Sequence, residues 1–346
     1  MPEKFKNILI IKPSSLGDIV LTLPVLSAFR RNFPNAKISW LVRPEFAPLI
    51  ENHPHLNEII PFDRKFLGKA WYNTDAFAAL MSLISKLRRS EFSVVFDFQG
   101  LFRTASLAWL SGCKKRFGMA DAREFAHIFY THQTSQDKES IHLVDYYLKI
   151  IKDAGVEDTN VQFVFPAHLP AEDSVKKLLA KCNIKPNGYA VFITGSAHQD
   201  KCWPIERFAV LADKISSQFK LSIIATGISA EKNIIEKLAA TTNVRVTNLA
   251  GQLNLKELTA LLKSASLVVS NDTGPGHIAA ALGTPVVLIF GRSNPARVAP
   301  YKRGHCVVAA EPDGRGFKPD STNPKHNINH ITVDHVYKKV CEQFQK

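Results

Sequence analysis

The stretch from Leu267 to Gly291, LVVSNDTGPGHIAAALGTPVVLIFG, constrains the fold of this chain more than any other. An apolar run typical of a buried strand ends in Asn-Asp-Thr-Gly-Pro-Gly, a small Ala-rich helix follows, and a second apolar run comes after Gly283-Thr284-Pro285. This order predicts a βαβ unit whose turn and helix N-terminus lie at the carboxyl end of a buried strand. Free backbone N–H groups bind anions there, and small residues let a phosphate approach closely. The stretch therefore predicts a pocket for a nucleotide or a diphosphate.

Strands and helices also alternate along the rest of the chain, which predicts parallel sheets covered by helices on both faces. In the first half, the predicted strands are 8–11, 38–42 and 94–97, and the predicted helices are 19–32, 75–89, 104–111 and 141–154. In the second half, besides the opening unit, the predicted strands are 190–194 and 221–226, and the predicted helices are 205–219, 230–241, 255–264 and 333–344. Residues 162–173 resemble a linker, and 311–330 are predicted to be irregular.

This pattern predicts two α/β domains of similar size. We expect a first domain over 1–165, a second over 166–330, and a C-terminal helix, 331–346, that packs back toward the first domain. Two such halves suggest a ligand in the cleft between them.

The charge of the chain narrows the class of partner. The formal net charge is +13, which favours an anionic partner. The basic residues are scattered and lack the arginine-rich runs or aromatic signature of a nucleic-acid module. An acidic small substrate or a membrane surface is therefore the better expectation, and nucleic acid is not expected.

The cysteines and the N-terminus indicate the compartment. Five widely spaced cysteines without a C-x-x-C pair argue against a disulfide framework or a structural zinc site. The N-terminus runs from Met-Pro-Glu-Lys-Phe-Lys into a short apolar strand, unlike a signal peptide. No stretch reaches the roughly 18 apolar residues of a membrane-spanning helix. We expect a soluble cytoplasmic protein.

The loop Gly274-Pro275-Gly276-His277-Ile278-Ala279 also fits the dinucleotide fingerprint G-x-G-x-x-A. That interpretation needs an acidic residue about 20 positions further on to hold a ribose. The first acids downstream, Glu311 and Asp313, lie too far along, so a nicotinamide cofactor is not favoured. Asp272 is better interpreted as a carboxylate that meets a ribose hydroxyl or orients the loop, although it could simply be a turn or cap residue.

Two further loops follow predicted strands. Ser14-Ser15-Leu16-Gly17-Asp18 places a carboxylate where the first strand passes into the first helix. Asp18 could cap that helix, or it could be a general base, with Ser14, Ser15 and Gly17 bringing ligand oxygens close to backbone N–H groups. After the first strand of the second half, Lys201 could meet a diphosphate as a mobile point charge, with Ser196 adding a hydroxyl donor. A merely solvated Lys201 is the alternative.

Together these segments resemble a known family. They look like the bacterial lipopolysaccharide heptosyltransferases of types I and II, on the evidence of three motifs: the N-terminal IKPSSLGDIVLTLP, the central DKCWP and the late NDTGPGHIAAALGTP. These enzymes form glycosyltransferase family 9. The resemblance implies their GT-B architecture of two Rossmann-like domains facing a central cleft. FDFQGLFRTA, ADAREFAHIFY and IHLVDYYL also sit where the family has similar segments, so the resemblance covers nearly the whole chain.

The resemblance implies an inverting, metal-independent transfer of heptose from ADP-L-glycero-D-manno-heptose to the inner core of lipopolysaccharide, with no cofactor. Asp18 matches the proposed base of the family, and Lys201 matches the lysine that neutralises the leaving diphosphate. The donor-binding set is completed by residues of four segments: Ser14, Ser15, Gly17, Ser196, Glu231, Asp272, Thr273, Gly274, Gly276 and His277. Glu231 is the candidate for the ribose, although that match could fall on Ser229 instead.

The implied acceptor is anionic and membrane-borne, and it is either Kdo-lipid A or heptosyl-Kdo-lipid A. Four basic residues of the first half are candidates to meet it: Lys65, Lys69, Arg103 and Arg123. Solvated surface charge is the alternative for each of them. The resemblance implies peripheral contact with the cytoplasmic face of the inner membrane. Two other functions stay open at this point, a nucleotide-sugar epimerase of the same fold and a non-catalytic binder of anionic glycolipid.

Overall fold

The computed structural model describes residues 5–137 and 141–345. The contacts divide the chain into two compact units, Met1–Ala167 and His168–Lys346. Each unit is built around one six-stranded parallel sheet. The prediction of two α/β halves with parallel sheets is therefore confirmed.

The strands of the first unit lie in the order β3-β2-β1-β4-β5-β6. Their bounds are β1 Asn7–Ile11, β2 Lys37–Val42, β3 Glu58–Pro61, β4 Val94–Asp97, β5 Arg116–Met119 and β6 His132–Thr134. The helices are α1 Leu16–Asn32, α2 Arg64–Leu67, α3 Thr74–Arg89, α4 Phe102–Leu110 and α5 Leu143–Asp153.

The core of this unit explains why its strands read as apolar runs. Leu9 and Ile11 of β1 pack with Leu83 and Leu87 of α3 on one face of the sheet. Ile8 and Ile10 are equally buried, and side chains alternate along a strand, so the second face is covered as well. A strand buried on both faces carries apolar residues at every position.

The strands of the second unit lie in the order β12-β11-β10-β7-β8-β9. Their bounds are β7 Tyr189–Ile193, β8 Ser222–Thr226, β9 Val246–Asn248, β10 Leu267–Asn271, β11 Val286–Phe290 and β12 Val307–Ala309. The helices are α6 Leu169–Lys181, α7 Ile205–Phe219, α8 Lys232–Thr241, α9 Leu255–Lys263, α10 Gly274–Ala281, α11 Pro295–Val298 and α12 Val333–Phe344. The predicted βαβ unit is thus β10-α10-β11.

The C-terminal helix α12 has the predicted bounds. Its buried face, which includes Val336 and Val340, joins the core that α7, β7 and β11 form in the second unit. From the sequence we expect this helix to pack back toward the first domain. The contacts of α12 with α7 and β11 lie within the second unit.

Two kinds of element differ from the predictions. The predicted linker 162–173 overlaps α6, which begins at Leu169 and buries Ala171, Val175 and Leu179. Pro170 does not prevent this helix, because a proline in the first turn lacks only an N–H that has no partner there. The short strands β3, β5, β6, β9 and β12 were not predicted, since three or four residues carry little periodicity; β4, which is equally short, was predicted from its apolar run.

Candidate active site

The loop between β10 and α10 lies at the carboxyl end of the second sheet. Thr273 is the N-cap of α10, and Gly274 and Pro275 form its first turn. His277 Nε2 donates a hydrogen bond to Asp272 Oδ1 at 3.2 Å, and both side chains are almost fully buried. Burial alone would raise the pKa of Asp272, but the hydrogen bond from His277 and the charge of Lys201 outweigh it and hold that pKa below its usual range. Asp272 is therefore an ionised group that fixes the loop.

Gly276 lets α10 approach the sheet. A Cβ atom at this position would lie 2.8 Å from Ser270 Oγ and 3.2 Å from Leu288 Cδ2. Ser270 Oγ is itself held, because it donates to the carbonyl of Asn271 and lies 3.0 Å from Thr273 Oγ1. The small residues of this loop thus bring the helix N-terminus, with its free N–H groups, against the end of β10.

Asn271, at the end of β10, binds both ends of the loop between β7 and α7, a role that its sequence context did not indicate. Its Nδ2 donates to the carbonyl of Thr194 at 2.7 Å, and its Oδ1 accepts from the N–H of Trp203 at 3.0 Å. The side chain is fully buried. Asn271 therefore positions the Ser196–Lys201 loop relative to α10.

Lys201 ends a short 3₁₀ turn, Gln199–Lys201, and is mostly buried. Its Nζ lies 2.8 Å from Asp320 Oδ1, and Arg292 bridges Asp320 and Asp200. Lys201 is therefore not a merely solvated lysine. Sequence reasoning missed Arg292 and Asp320, because only the fold brings the two segments to Lys201. Ser196, at the start of the same loop, is partly buried.

Glu231 lies at the ends of β7 and β8. Its carboxylate sits so close to the backbones of Gly195 and Gly227 that a Cβ atom on either glycine would clash with it. Oε2 accepts a hydrogen bond from the N–H of Ile228 at 3.0 Å, while burial raises the pKa of Glu231. Ser229 lies instead against Gly251. Glu231 therefore places a partly buried carboxylate at the carboxyl ends of these two strands.

Asp18 lies in the first turn of α1, in the first unit. Its Oδ2 accepts hydrogen bonds from the N–H and the hydroxyl of Ser15, both at 3.0 Å, so the helix-capping interpretation is correct. The carboxylate is still 28% exposed and can meet a ligand. Ser14 donates its N–H to Gln99 Oε1 at 3.4 Å, and Gly17 precedes Asp18 in the same turn.

Lys12 lies beneath Asp18 and was not singled out from the sequence. Its Nζ is 3.7 Å from Asp18 Oδ2 and donates to the carbonyl of Phe98 and to the hydroxyl of Tyr147. Burial alone would lower the pKa of Lys12, but the charge of Asp18 and the interaction with Tyr147 outweigh it and raise that pKa. Lys12 is thus a buried cation next to the candidate base.

A cavity of about 680 Å³ in the first unit brings three of the four predicted acceptor residues together. Lys65 and Lys69, on and just after α2, line it together with Arg103 of α4, and Arg64 also lines it. Leu67, Leu80, Leu107 and Leu110 form its apolar lining. Arg123 does not line the cavity, although its N–H binds the carbonyl of Gly100. Glu124 also lines the cavity and lies 3.9 Å from Arg103 Nη2, so the cavity combines apolar walls with mainly cationic polar side chains.

Two general properties hold for residues 5–137 and 141–345. No group of three or more His, Cys, Asp or Glu side chains in these ranges is arranged to hold a metal ion. None of their helices is long and apolar enough to cross a membrane.

The chain is similar to known proteins both in sequence and in fold. The model of glycosyltransferase family 9 (heptosyltransferase) matches residues 80–326. The lipopolysaccharide core heptosyltransferase OpsX of Haemophilus influenzae is 29% identical and aligns over 89% of this chain and 85% of its own length.

Solved structures share the fold. The family 9 glycosyl transferase of Veillonella parvula has a TM-score of 0.84 at 22% identity, over 100% of this chain and 99% of that one. Escherichia coli heptosyltransferase WaaC, with ADP-2-deoxy-2-fluoro heptose, has a TM-score of 0.75 at 25% identity, over 97% of this chain and 99% of that one. The predicted GT-B architecture, with two Rossmann-like units, is confirmed.

Proposed function

The chain belongs to glycosyltransferase family 9, the heptosyltransferases, and from this premise we propose that it transfers heptose from ADP-L-glycero-D-manno-heptose to the inner core of lipopolysaccharide. The observation that carries the proposal is the family match over residues 80–326, which includes the whole loop set around Lys201, Glu231 and Asp272. The ADP-heptose analogue in the WaaC structure supports the choice of donor. OpsX, a lipopolysaccharide core heptosyltransferase, supports the choice of acceptor class.

The second unit supplies the groups that this donor needs. The N-terminus of α10, with Thr273 and Gly274, offers N–H groups and a positive dipole end to the diphosphate. Lys201 adds a positive charge where negative charge grows as ADP leaves. Glu231 accepts hydrogen bonds from the ribose hydroxyls. His277 acts by holding Asp272 in place.

The first unit supplies the base. The Asp18 carboxylate takes the proton of the acceptor hydroxyl as that oxygen attacks the anomeric carbon and the bond to the diphosphate breaks. One displacement inverts the anomeric configuration. A sugar hydroxyl is a weak acid, so a positioned carboxylate helps as bond formation makes the proton acidic. Lys201 and the N-terminus of α10 stabilise the negative charge of the leaving diphosphate. We therefore propose that no metal ion takes part.

The decisive assay offers purified protein ADP-heptose with Kdo-lipid A and, separately, with heptosyl-Kdo-lipid A. We expect a new glycosidic bond with one of them, detected as a heptose added to the acceptor mass, with ADP released only when that acceptor is present. Epimerised ADP-sugar formed without acceptor would favour the epimerase instead. Binding of either glycolipid without product would favour a non-catalytic binder.

Metal independence is tested in the same assay. We expect turnover to survive EDTA unchanged. A loss of activity that added Mg²⁺ or Mn²⁺ restores would contradict the metal-free mechanism.

The cavity of the first unit suits the proposed acceptor. Lys65, Lys69 and Arg103 can pair with the carboxylates of Kdo, while the leucine walls accept apolar parts of a lipid. Four solvent-exposed aromatic side chains line the cavity or connect to its lining through ring contacts, and we call them the aromatic rim: Trp71, Tyr72, Phe102 and Trp109. Trp71 is 85% exposed and contacts Tyr72, which lines the cavity with Phe102, and Phe129 connects Phe102 with Trp109.

Exposed aromatic and cationic side chains together are typical of surfaces that meet anionic membrane interfaces. We therefore propose that the aromatic rim mediates peripheral contact with the cytoplasmic face of the inner membrane. Vesicles of phosphatidylglycerol and phosphatidylcholine test this by co-sedimentation.

The variant Trp71→Ser should bind anionic vesicles several-fold more weakly than wild type, because a large exposed apolar surface is removed. Ile228→Ser, which removes a similarly exposed apolar side chain from the second unit, is the matched control. Equal losses in both variants would contradict this role of the aromatic rim.

A further inference from the structure

Four side chains of alternating charge lie in a row beside the candidate diphosphate site. Arg292 Nη1 is 2.6 Å from Asp200 Oδ2, and Arg292 Nη2 is 3.8 Å from Asp320 Oδ2. The other oxygen of Asp320 lies 2.8 Å from Lys201 Nζ. One carboxylate, that of Asp320, therefore contacts both cations.

The backbone holds Asp320 in this position. The N–H of Ser321 donates to the carbonyl of Arg292, and the N–H of Asn294 donates to the carbonyl of Pro319, both at 2.9 Å. Ser293 and Asp320 form an antiparallel bridge between these two bonds. The main chain at Asp320 is thus fixed on the segment that follows β11, whereas its side chain is 42% exposed and can turn to water.

The row lies at the same sheet edge as the Asp272 loop. Arg292 follows β11, which pairs with β10 in parallel register, and the N–H of Asp272 donates to the carbonyl of Ile289 at 3.1 Å. Trp203, two residues after Lys201, is bound to Asn271 at the end of β10. Arg292 and Lys201 therefore both lie near the N-terminus of α10.

Arg292 has N–H groups that the described residues do not fully use, because Nη2 is 3.8 Å from Asp320 Oδ2, too far for a hydrogen bond. Among the described residues, nothing accepts a hydrogen bond from its buried Nε. Its guanidinium is about one-third exposed and presents a planar array of N–H groups, which suits phosphate oxygens better than an ammonium does.

We propose that Arg292 is a second cationic ligand of the donor diphosphate beside Lys201, and that Asp320 is the resident counter-ion which the diphosphate replaces. Two phosphates carry more charge and more acceptor oxygens than one carboxylate, so the exchange favours the donor once it arrives. Until then, Asp320 keeps both cations neutralised and in place. This inference rests on the proposed function, because it assumes that an ADP-sugar binds at this edge.

Calorimetric titration with ADP, and in parallel with adenosine, separates the phosphate contribution from that of the nucleoside. Arg292→Gln should weaken ADP binding about 10- to 100-fold, the loss expected for a charge-assisted hydrogen bond, and leave adenosine binding unchanged. Lys318→Gln removes an exposed charge from a neighbouring segment and is the matched control. Equal ADP affinity in Arg292→Gln and Lys318→Gln would overturn the role of Arg292.

Asp320→Asn tests the counter-ion. It should tighten ADP binding about two- to fivefold, because the diphosphate no longer competes with a partly exposed carboxylate. Asp313→Asn makes the same charge change at an exposed acid of the 311–330 segment. It therefore measures how the loss of one negative charge affects ADP binding through long-range electrostatics alone. Weaker ADP binding in Asp320→Asn, or an affinity equal to that of Asp313→Asn, would overturn the counter-ion role.

The outcomes distinguish this inference from the proposed function. If wild-type protein binds neither ADP nor adenosine, the proposed donor is wrong. If wild type binds ADP and the Arg292 and Asp320 variants match their controls, the donor stands and the inference fails. Thermal unfolding of each variant confirms that it is folded at the temperature of the titration.

Discussion

The ammonium group of Lys12 lies 3.7 Å from the carboxylate of Asp18. Lys12 is buried at the end of β1, and its other partners are the carbonyl of Phe98 and the hydroxyl of Tyr147. Its raised pKa keeps it positively charged at neutral pH. A fixed cation thus accompanies the proposed base, and the N–H of Ser15 orients the same carboxylate oxygen.

Lys12→Met should lower kcat on the order of tenfold, because the variant removes a charged partner that stabilises and orients the Asp18 carboxylate. Lys6→Met, which alters an exposed lysine next to β1, should leave kcat unchanged. Steady-state kinetics with saturating donor measure both. A wild-type kcat in the Lys12 variant would show that the ion pair has only a structural role.

Asp18→Asn should reduce turnover about 10²- to 10⁴-fold, the usual contribution of a general base, while ADP affinity stays near that of wild type. The amide preserves the shape of the side chain but cannot take the proton. Asp75→Asn, which makes the same charge change at an exposed acid in the first turn of α3, is the control for the loss of a negative charge at a helix N-terminus. ADP release with acceptor at the wild-type rate would refute the assignment of Asp18.

Gly276→Ala should lower the free energy of unfolding by about 1–3 kcal/mol and weaken ADP binding, since the new methyl group overpacks the contact between α10 and β10. It would lie 2.8 Å from Ser270 Oγ, which is already hydrogen-bonded. Gly304→Ala is the matched control, because a Cβ atom there meets nothing within 4 Å. Thermal unfolding and ADP titration measure the two effects. A variant as stable as the control would mean that the loop relaxes without cost.

The free energy of unfolding should depend on pH through His53. Burial lowers the pKa of His53 to about 4, despite its hydrogen bond with the carbonyl of Val164. The unfolded chain, with an ordinary histidine pKa near 6.5, binds the proton first, so stability is full above pH ~6.5 and falls as the pH drops toward 4. The loss is about 3 kcal/mol at most.

His53→Gln should remove this dependence. Unfolding of wild type and variant, compared between pH 7 and pH 4, isolates the histidine from the other groups that titrate in this range. Parallel stability curves for the two proteins would contradict a buried neutral His53.

The local elements were largely determined by the sequence itself. Strands such as β1 and β10 are buried on both faces, so they read as short apolar runs, and the glycines around His277 mark the turn into α10. The same local signals predicted α7 and α12 with their observed bounds. The family resemblance identified Asp18 and Lys201 as candidates because their motifs are contiguous segments of the chain.

Only the tertiary structure determines which groups the candidate side chains contact. Nothing in the neighbouring sequence of Lys201 indicates Asp320, and nothing near Lys65 indicates that Arg103 lines the same cavity. Local periodicity reports which face of an element is buried, because burial repeats with the geometry of the helix or strand. An ion pair between distant segments depends instead on how parallel strands are ordered in the sheet and on where their carboxyl ends meet. The βαβ unit at Leu267–Gly291 and the loop at Lys201 thus predicted an anion site from the sequence, whereas the contacts of Arg292 and Asp320 with Lys201 and with each other came from the fold.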